Sequence, residues 1–332
     1  MENILTKQAF PSRRKYTLLA IKIIASMALC GWIVTHTDWQ QLGSVLRKSD
    51  ARLIFLSFLL VCLSLPISAY KWQQLLLIHG LQYGWYKLQR WYLVATFLNH
   101  FLPTSIGGDG YRIYKTINNP KGKTCALLAV FVERLSGFMA LLLLGYVAAI
   151  ITFANQGDDL SGTIVMAGSI GIVAGIVGLF VILRWRLIQR LITSRFCPKP
   201  MQILVHLGAD FRKHPRQMVL IGLTSFIFHI NRIFFIWLLV YSLGTESNIS
   251  ELTIAVVAVE VIGLLPISLG GLGLVEGSFM YLMGYYGLNH ETGLSAMLML
   301  RGLVLPMSML GGYFYFMGDR EGNSDVTDRL SQ

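Results

Sequence analysis

Six ionisable residues stand within or beside long apolar stretches, where an unpaired charge is costly: Asp109, Arg112, Glu133, Arg134, Glu276 and Arg301. Insertion scales assign about 2.5–3.5 kcal/mol to a lone Asp, Lys or Arg at the centre of a membrane helix, so such groups usually pair or line a hydrated pathway. An arginine guanidinium can also hold a phosphate through two parallel hydrogen bonds. These residues therefore predict either ion pairs that hold helices together or a site for a phosphate-bearing group.

Glu133 and Arg134 are adjacent in the sequence and therefore point to different sides of a helix, so neither is the other's main partner. Each needs a counter-charge from elsewhere in the chain. The candidates are Arg112, Arg301, Asp109 and Glu276. For Glu133 and Arg134, a functional role and a structural ion pair both stay open at this point.

A nine-residue pattern occurs twice, which predicts an internal duplication. Residues 102–110 read LPTSIGGDG and residues 265–273 read LPISLGGLG, with six identical positions at a constant offset of 163. Arg301 follows the second copy much as Arg134 follows the first, although their offset is 167. We place the two halves of the repeat at about 88–155 and 250–317.

The repeated pattern predicts a helix that breaks inside the membrane. Proline removes a backbone donor, and the glycine pair permits backbone angles closed to other residues. Broken backbone at membrane depth is tolerated only where it is buried in protein or faces water, and its free amides suit anions. We expect the two broken segments to meet near the midplane and line a polar cavity, the alternative being simple kinks in packed helices. The backbone candidates are Asn99, Pro103, Ser105, Gly107, Gly108, Pro266, Ser268, Gly270, Gly271 and Gly273.

Weaker candidates occur in similar apolar surroundings. Glu260 precedes the second copy of the pattern, and Asn231 and Arg232 lie within a long apolar run. We expect His100 and His229 to be packed or hydrogen-bonded histidines rather than ligands.

The composition indicates that the chain is a membrane protein. Of 332 residues 54% are hydrophobic and only 14% are charged, with a mean hydropathy of +0.58, so polar surface is too scarce to coat a soluble globule. A water-soluble enzyme, a disordered chain and a secreted disulfide scaffold are excluded. The net charge of +11 comes from bases beside apolar runs, which is typical of cytoplasmic loops rather than of nucleic-acid binding.

The predicted fold class is an all-α polytopic membrane protein with six full spans and two re-entrant or broken helical segments that form an inverted repeat. The first pattern follows two spans and the second follows five, so the two segments enter from opposite faces. We treat 1–317 as one integral membrane domain and 318–332 as a polar tail. The predicted spans are 16–35, 53–78, 124–154, 163–183, 218–243 and 292–317.

Loop charges predict the orientation. Residues 184–216 carry eight bases against one acid and are placed in the cytoplasm, whereas 155–162 and 245–251 carry acids without bases and are placed outside. Both termini are then cytoplasmic, and the first span is an uncleaved signal anchor. Residues 35–52 fit less well, because they should be external and yet hold three bases.

The motifs together resemble the lysylphosphatidylglycerol synthase transmembrane-region family, also called flippase-like, over about 16–317. In the full-length synthases this kind of membrane domain is thought to move aminoacylated phosphatidylglycerol between leaflets, while a separate soluble domain makes the lipid. Only fifteen residues follow 317 here, so we expect no aminoacyl transfer. The matching positions run from Asn99 through Pro103, Gly107, Gly108, Asp109, Arg112, Glu133, Arg134, Pro266, Gly270, Gly271 and Gly273 to Glu276.

We therefore expect transbilayer movement or handling of an anionic phospholipid or lipid-linked glycan, without enzymatic activity, cofactor or metal. The expected location is the bacterial inner membrane, and the expected partners are membrane lipids and an envelope-lipid synthase or a second copy of the chain, with no nucleic acid. Two alternatives stay open. One is an intramembrane enzyme that modifies lipid headgroups, with Asp109 and Glu133 as its acid and base. The other is a non-transporting partner of an envelope-lipid synthase.

Overall fold

The computed structural model describes residues 13–101, 107–117, 122–183, 213–265 and 267–317, and these form eleven α-helices and a short 3-10 turn without any β-strand. The predicted all-α class is confirmed. The helices are α1 (Arg13–His36), α2 (Trp39–Arg47), α3 (Ala51–Ile78), α4 (Trp85–Phe101), α5 (Gly107–Thr116), α6 (Gly122–Gln156), α7 (Asp159–Leu183), α8 (Pro215–Ser242), α9 (Ile249–Gly263), α10 (Leu274–Tyr285) and α11 (His290–Met317), with the 3-10 turn at Leu269–Gly271.

Four of these helices, α3, α6, α8 and α11, are long and apolar enough to cross a membrane, and they coincide with four of the six predicted spans. The other two predicted spans coincide with α1 and α7, which contain 24 and 25 residues. Six spans in total stay a prediction. The base-rich segment at 184–212, the pattern residues Pro103, Ser105 and Pro266, and the tail at 318–332 lie outside the described residues.

Both copies of the repeated pattern interrupt a helix. The first copy follows the end of α4 and its last four residues begin α5, and the second copy falls between α9 and α10 with the 3-10 turn inside it. Each half of the repeat is therefore a helix, a break, a short helix and a long helix: α4, α5 and α6 in the first half, α9, α10 and α11 in the second.

The two halves pack on each other reciprocally. The long helix α6 of the first half packs on α9, and the long helix α11 of the second half packs on α4, while α3 packs along α8. Glycines allow the close approach in both places. A Cβ at Gly145 would lie 2.8 Å from Val257 Cγ1, and a Cβ at Gly311 would overlap the carbonyl oxygen of Leu93.

One end of the bundle, which we call the Trp72 end, gathers the end of α3 and the starts of α4, α6 and α8. Their apolar side chains form a buried cluster around Trp72, and Tyr111 of α5 packs against the same cluster. The first half of the repeat therefore begins at this end, and α5 also returns to it. The buried members of the cluster are Trp72, Leu75, Leu76, Leu81, Leu88, Trp91, Ala129, Val132 and Ile221.

The opposite end, which we call the Asp158 end, gathers the end of α6 and the start of α9. Thr152 Oγ1 donates to Ser250 Oγ at 2.9 Å, and Tyr285 Oη donates to Asp158 Oδ1 at 2.6 Å. Burial would raise the pKa of Asp158, but hydrogen bonds from Tyr285 and Ser161 outweigh it and hold the pKa below its ordinary value. The second half of the repeat therefore begins at this end, and α10 finishes there.

Candidate functional site

The start of α5 is fixed against α4 by the first copy of the repeated pattern. Gly108 lies so close to α4 that a Cβ would overlap the carbonyl oxygen of Ala95. The Gly108 N–H donates to Asn99 Oδ1 at 2.8 Å, which satisfies one free amide of the helix start. Gly107 is the first residue of α5 and Asp109 lies in its first turn, where a carboxylate complements the helix dipole.

Asp109 and Glu133 share a buried arginine. The side chain of Arg112 is 2% exposed, and its guanidinium binds Asp109 Oδ1 at 2.5 Å and Glu133 Oε2 at 2.7 Å. The same guanidinium lies against two aromatic rings, 5.2 Å from the centroid of Trp72 and 4.6 Å from that of Tyr92. Arg112 is therefore held from several sides and its two Nη atoms bind carboxylates, while its buried Nε has no hydrogen-bond partner in the described part of the chain.

Arg134 also binds Asp109 but is open to its surroundings. Its Nε lies 3.0 Å from Asp109 Oδ2 and its Nη2 lies 3.1 Å from Oδ1, which is a two-pronged pair. The Arg134 side chain is 58% exposed, against 11% for Asp109. The two arginines that meet at Asp109 thus differ, since one is enclosed and the other can reach a ligand.

Two residues that the sequence did not single out complete this first cluster. Tyr92 Oη donates to Glu133 Oε1 at 3.0 Å, and Lys71 Nζ donates to the backbone oxygen of Glu133 at 2.8 Å. Lys71 could have been found as a base inside a predicted span, whereas Tyr92 has no sequence signal. Two carboxylates and three bases meet here, so the cluster has a formal charge of one positive unit.

The second half of the repeat holds a simpler, second cluster. Arg301 forms an ion pair with Glu276, which also accepts a hydrogen bond from Gly273 N–H at 2.8 Å. Gly273 has a φ of +76°, and a Cβ there would lie 2.7 Å from Leu29 Cβ of α1, so both backbone angle and space require glycine. The base follows its acid by 25 residues here, as Arg134 follows Asp109 in the first half.

The remaining residues of the second pattern form the turn before α10. Gly270 and Gly271 make the 3-10 turn with φ of +56° and +77°, and Ser268 is buried directly before it. The Leu269 N–H donates to Ser26 Oγ at 2.7 Å, which ties the turn to α1.

The helix contacts place the two glycine turns against different neighbours, and a cavity shared by both turns stays a prediction. Among the described residues α5 packs on α4 and α6, whereas the second turn packs on α1, and α10 packs on α9, α11 and α1. Each arginine finds its acid in its own half, so Arg301 pairs with Glu276 rather than with Glu133. The two patterns thus build two clusters, one in each half.

A comparison with sequence models of protein families identifies the family of this chain. The sequence model of the family described as lysylphosphatidylglycerol synthase TM region matches residues 19–312. The chain belongs to this family. The match includes both clusters of this lysylphosphatidylglycerol synthase TM-region protein and confirms the resemblance drawn from its motifs.

Family membership and the apolar helices make this TM-region protein a membrane-embedded, multi-pass chain. The family description is consistent with the handling of membrane lipids. A comparison with curated proteins gave no match.

Proposed function

We propose that this protein moves an anionic phospholipid, or a lipid-linked glycan with its phosphate, between the leaflets of the bacterial inner membrane. The observation that carries the proposal is the exposed Arg134 on a cluster with one excess positive charge. A guanidinium that binds a carboxylate with two prongs can bind a phosphate in the same way. The lipid tails would stay in the bilayer while the headgroup meets the arginine.

The arrangement of the halves supports movement rather than simple binding. The first half begins and its α5 returns at the Trp72 end, while the second half begins and its α10 finishes at the Asp158 end. We propose that the halves form an inverted-topology repeat, as in many secondary transporters, with both termini in the cytoplasm. The Arg134 cluster would then serve one leaflet and the Arg301 cluster the other.

Within the first cluster the two arginines would have different roles, one in positioning the carboxylates and one in binding the headgroup. Arg112 keeps Asp109 and Glu133 in place, because its guanidinium is buried and bound to both. Arg134 would exchange Asp109 for the phosphate of the headgroup. Asp109 stays paired with Arg112 during the exchange, so no carboxylate is left without a counter-charge.

The test is lipid movement in proteoliposomes that contain phosphatidylglycerol carrying a nitrobenzoxadiazole label, with dithionite to bleach the outer leaflet. We expect Arg134→Ala to slow the exchange about tenfold or more, since a hydrogen bond to a charged group contributes about 1.5–3 kcal/mol. Arg47→Ala, at the exposed end of α2, is the control and should keep the wild-type rate. Equal rates for wild type and Arg134→Ala would overturn the proposal.

An enzymatic role has less support, because a general acid or base must be free to exchange a proton. Both candidate carboxylates are bound by arginines: Glu133 by Arg112, and Asp109 by Arg112 and Arg134. We therefore propose a non-catalytic protein. Mass spectrometry of lipids incubated with the pure protein should show unchanged species, and a new lipid species would contradict this.

A further inference from the structure

A third polar cluster lies between α3, α8 and α9, outside both sites described above. Arg232 of α8 forms an ion pair with Glu260 of α9. His229, one helical turn before Arg232, places its Nδ1 4.0 Å from Glu260 Oε2. The side chains of His229 and Glu260 are 8% and 16% exposed, and His229 Nδ1 is buried without a hydrogen-bond partner.

The other ring nitrogen of His229 faces the first cluster across a glycine of α6. A Cβ at Gly137 would lie 3.6 Å from His229 Nε2 and 3.5 Å from Lys71 Nζ, so both nitrogens lie over this glycine. Lys71 Nζ in turn donates to the backbone oxygen of Glu133. His229 thus neighbours Lys71, which belongs to the cluster that holds Arg112 and Arg134.

The charged groups around His229 come from every side. Its own helix brings Arg232, α3 brings Lys71 and α9 brings Glu260, while α6 presents the backbone of Gly137. The helix α11 also packs on α8, and its Arg301 is engaged by Glu276. A neutral His229 therefore has one acid within a short movement of its free nitrogen and two bases nearby.

We propose that His229 and Glu260 bind a transferable proton, which is the coupling ion for lipid movement. Nδ1 takes one proton from water, and the resulting imidazolium pairs with the Glu260 carboxylate. Release returns the proton to water, and no other bond changes. Buried His and Glu residues in membrane helices are typical of proton pathways, and a small shift closes the 4.0 Å gap.

The same protonation would act on the first cluster through Lys71. A positive imidazolium repels the neighbouring ammonium, which weakens its hold on the Glu133 backbone. Since Glu133 binds Arg112, protonation of His229 would shift the side chains of the first cluster around Asp109. This coupling rests on the proposed lipid movement, whereas the proton site itself does not.

The coupling is tested in proteoliposomes with labelled phosphatidylglycerol under an imposed pH gradient, with the membrane potential clamped by valinomycin and potassium. We expect the gradient to change the wild-type rate about fivefold or more, the lower end of typical coupling. His229→Gln and Glu260→Gln keep hydrogen bonding but not titration, and should show equal rates with and without the gradient. His290→Gln, at the start of α11, is the control and should respond like wild type. If His229→Gln and Glu260→Gln both responded to the gradient like wild type, the proposed coupling would be overturned.

The proton site is tested without transport, by NMR of ¹⁵N-labelled histidine in nanodiscs, with His229→Gln to assign the signal. Across a titration from neutral to acidic pH we expect the His229 ring to change protonation state, with a midpoint that differs between wild type and Glu260→Gln. The ring signal of His290 is the control and should be the same in both proteins. A His229 ring in one state throughout, or one insensitive to Glu260→Gln, would overturn the site. Vesicles that move no labelled lipid would overturn the proposed function instead, while the NMR result still decides the proton site.

Discussion

Arg112 and Arg134 bind the same carboxylate but differ in how far they are buried. Arg112 is enclosed by two aromatic rings and two acids, while Arg134 presents more than half of its side chain outside the protein core. A buried arginine bound to two carboxylates stabilises the arrangement of α4, α5 and α6. A partly exposed arginine on the same carboxylate can exchange its partner.

We predict that Asp109→Asn destabilises the protein. Asparagine keeps the shape but removes the charge that Arg112 and Arg134 both bind, and breaking a buried pair costs about 3–5 kcal/mol. The part contributed by Arg134 is smaller, because that side chain is exposed to screening. Thermal unfolding in detergent, followed by size-exclusion chromatography, should show a clearly lower melting temperature.

The matched control is Asp38→Asn, at the exposed N-cap of α2, where asparagine caps about as well as aspartate. Its melting temperature should match that of wild type. A variant of Asp109 as stable as that control would mean that the buried arginine does not depend on this carboxylate.

The charged residues of both clusters could be predicted from their positions in apolar stretches, but their pairing could not. Sequence offers no distance between Glu276 and Arg301, and the 163-residue offset of the glycine pattern aligns Asp109 with Leu272 rather than with Glu276. The structure shows that α10 starts one turn later within its pattern, so the acid moves by four positions. Tyr92 was missed because an aromatic residue in an apolar helix is ordinary.

The start of α5 is positioned by close contact with α4. Two glycines of α5 make this testable, since Gly108 presses on Ala95 whereas Gly110 has open space around its Cα. We predict that Gly108→Ala separates α5 from α4, breaks the hydrogen bond to Asn99 and costs about 1–3 kcal/mol through overpacking.

The same variant should lose most lipid movement, because Asp109 would shift with α5. Gly110→Ala is the control and should keep wild-type stability and rate. Melting temperature and dithionite bleaching of labelled lipid measure both effects. Equal behaviour of the two variants would show that the second glycine of the pattern is not a packing residue.

Helix lengths and breaks could largely be predicted from hydropathy and from the proline and glycine residues. The predicted spans 53–78 and 218–243 lie within three residues of α3 and α8 at each boundary. Contacts between distant helices could not be predicted, because apolar surfaces in a membrane protein lack the periodic contrast that marks a core-facing side. For this reason the sequence did not indicate that the two glycine turns contact different helices.

We expect the two halves of the repeat to enter the membrane from opposite faces. Gln82 follows α3 at the Trp72 end, and Asn289 precedes α11 near the Asp158 end, and both are exposed. In a variant without native cysteines, we predict that a membrane-impermeant maleimide labels Asn289→Cys in intact cells and Gln82→Cys only after lysis.

Both positions serve as each other's control, since each should label fully in lysed cells. Labelling of both from the outside would place the two ends on one face. It would remove the basis for an inverted repeat and with it the assignment of one cluster to each leaflet.

The packing of α6 on α9, and of α11 on α4, has a consequence for the origin of the repeat. A half on its own would leave its long helix without the surface that covers it, unless a second copy stood upside down beside it. Under the proposed inversion, the gene before duplication would have encoded a dual-topology protein, inserted both ways and assembled as an antiparallel pair. Fusion would then have allowed each half to diverge, consistent with a network of Asp109, Arg112 and Glu133 in one half and a single ion pair of Glu276 and Arg301 in the other.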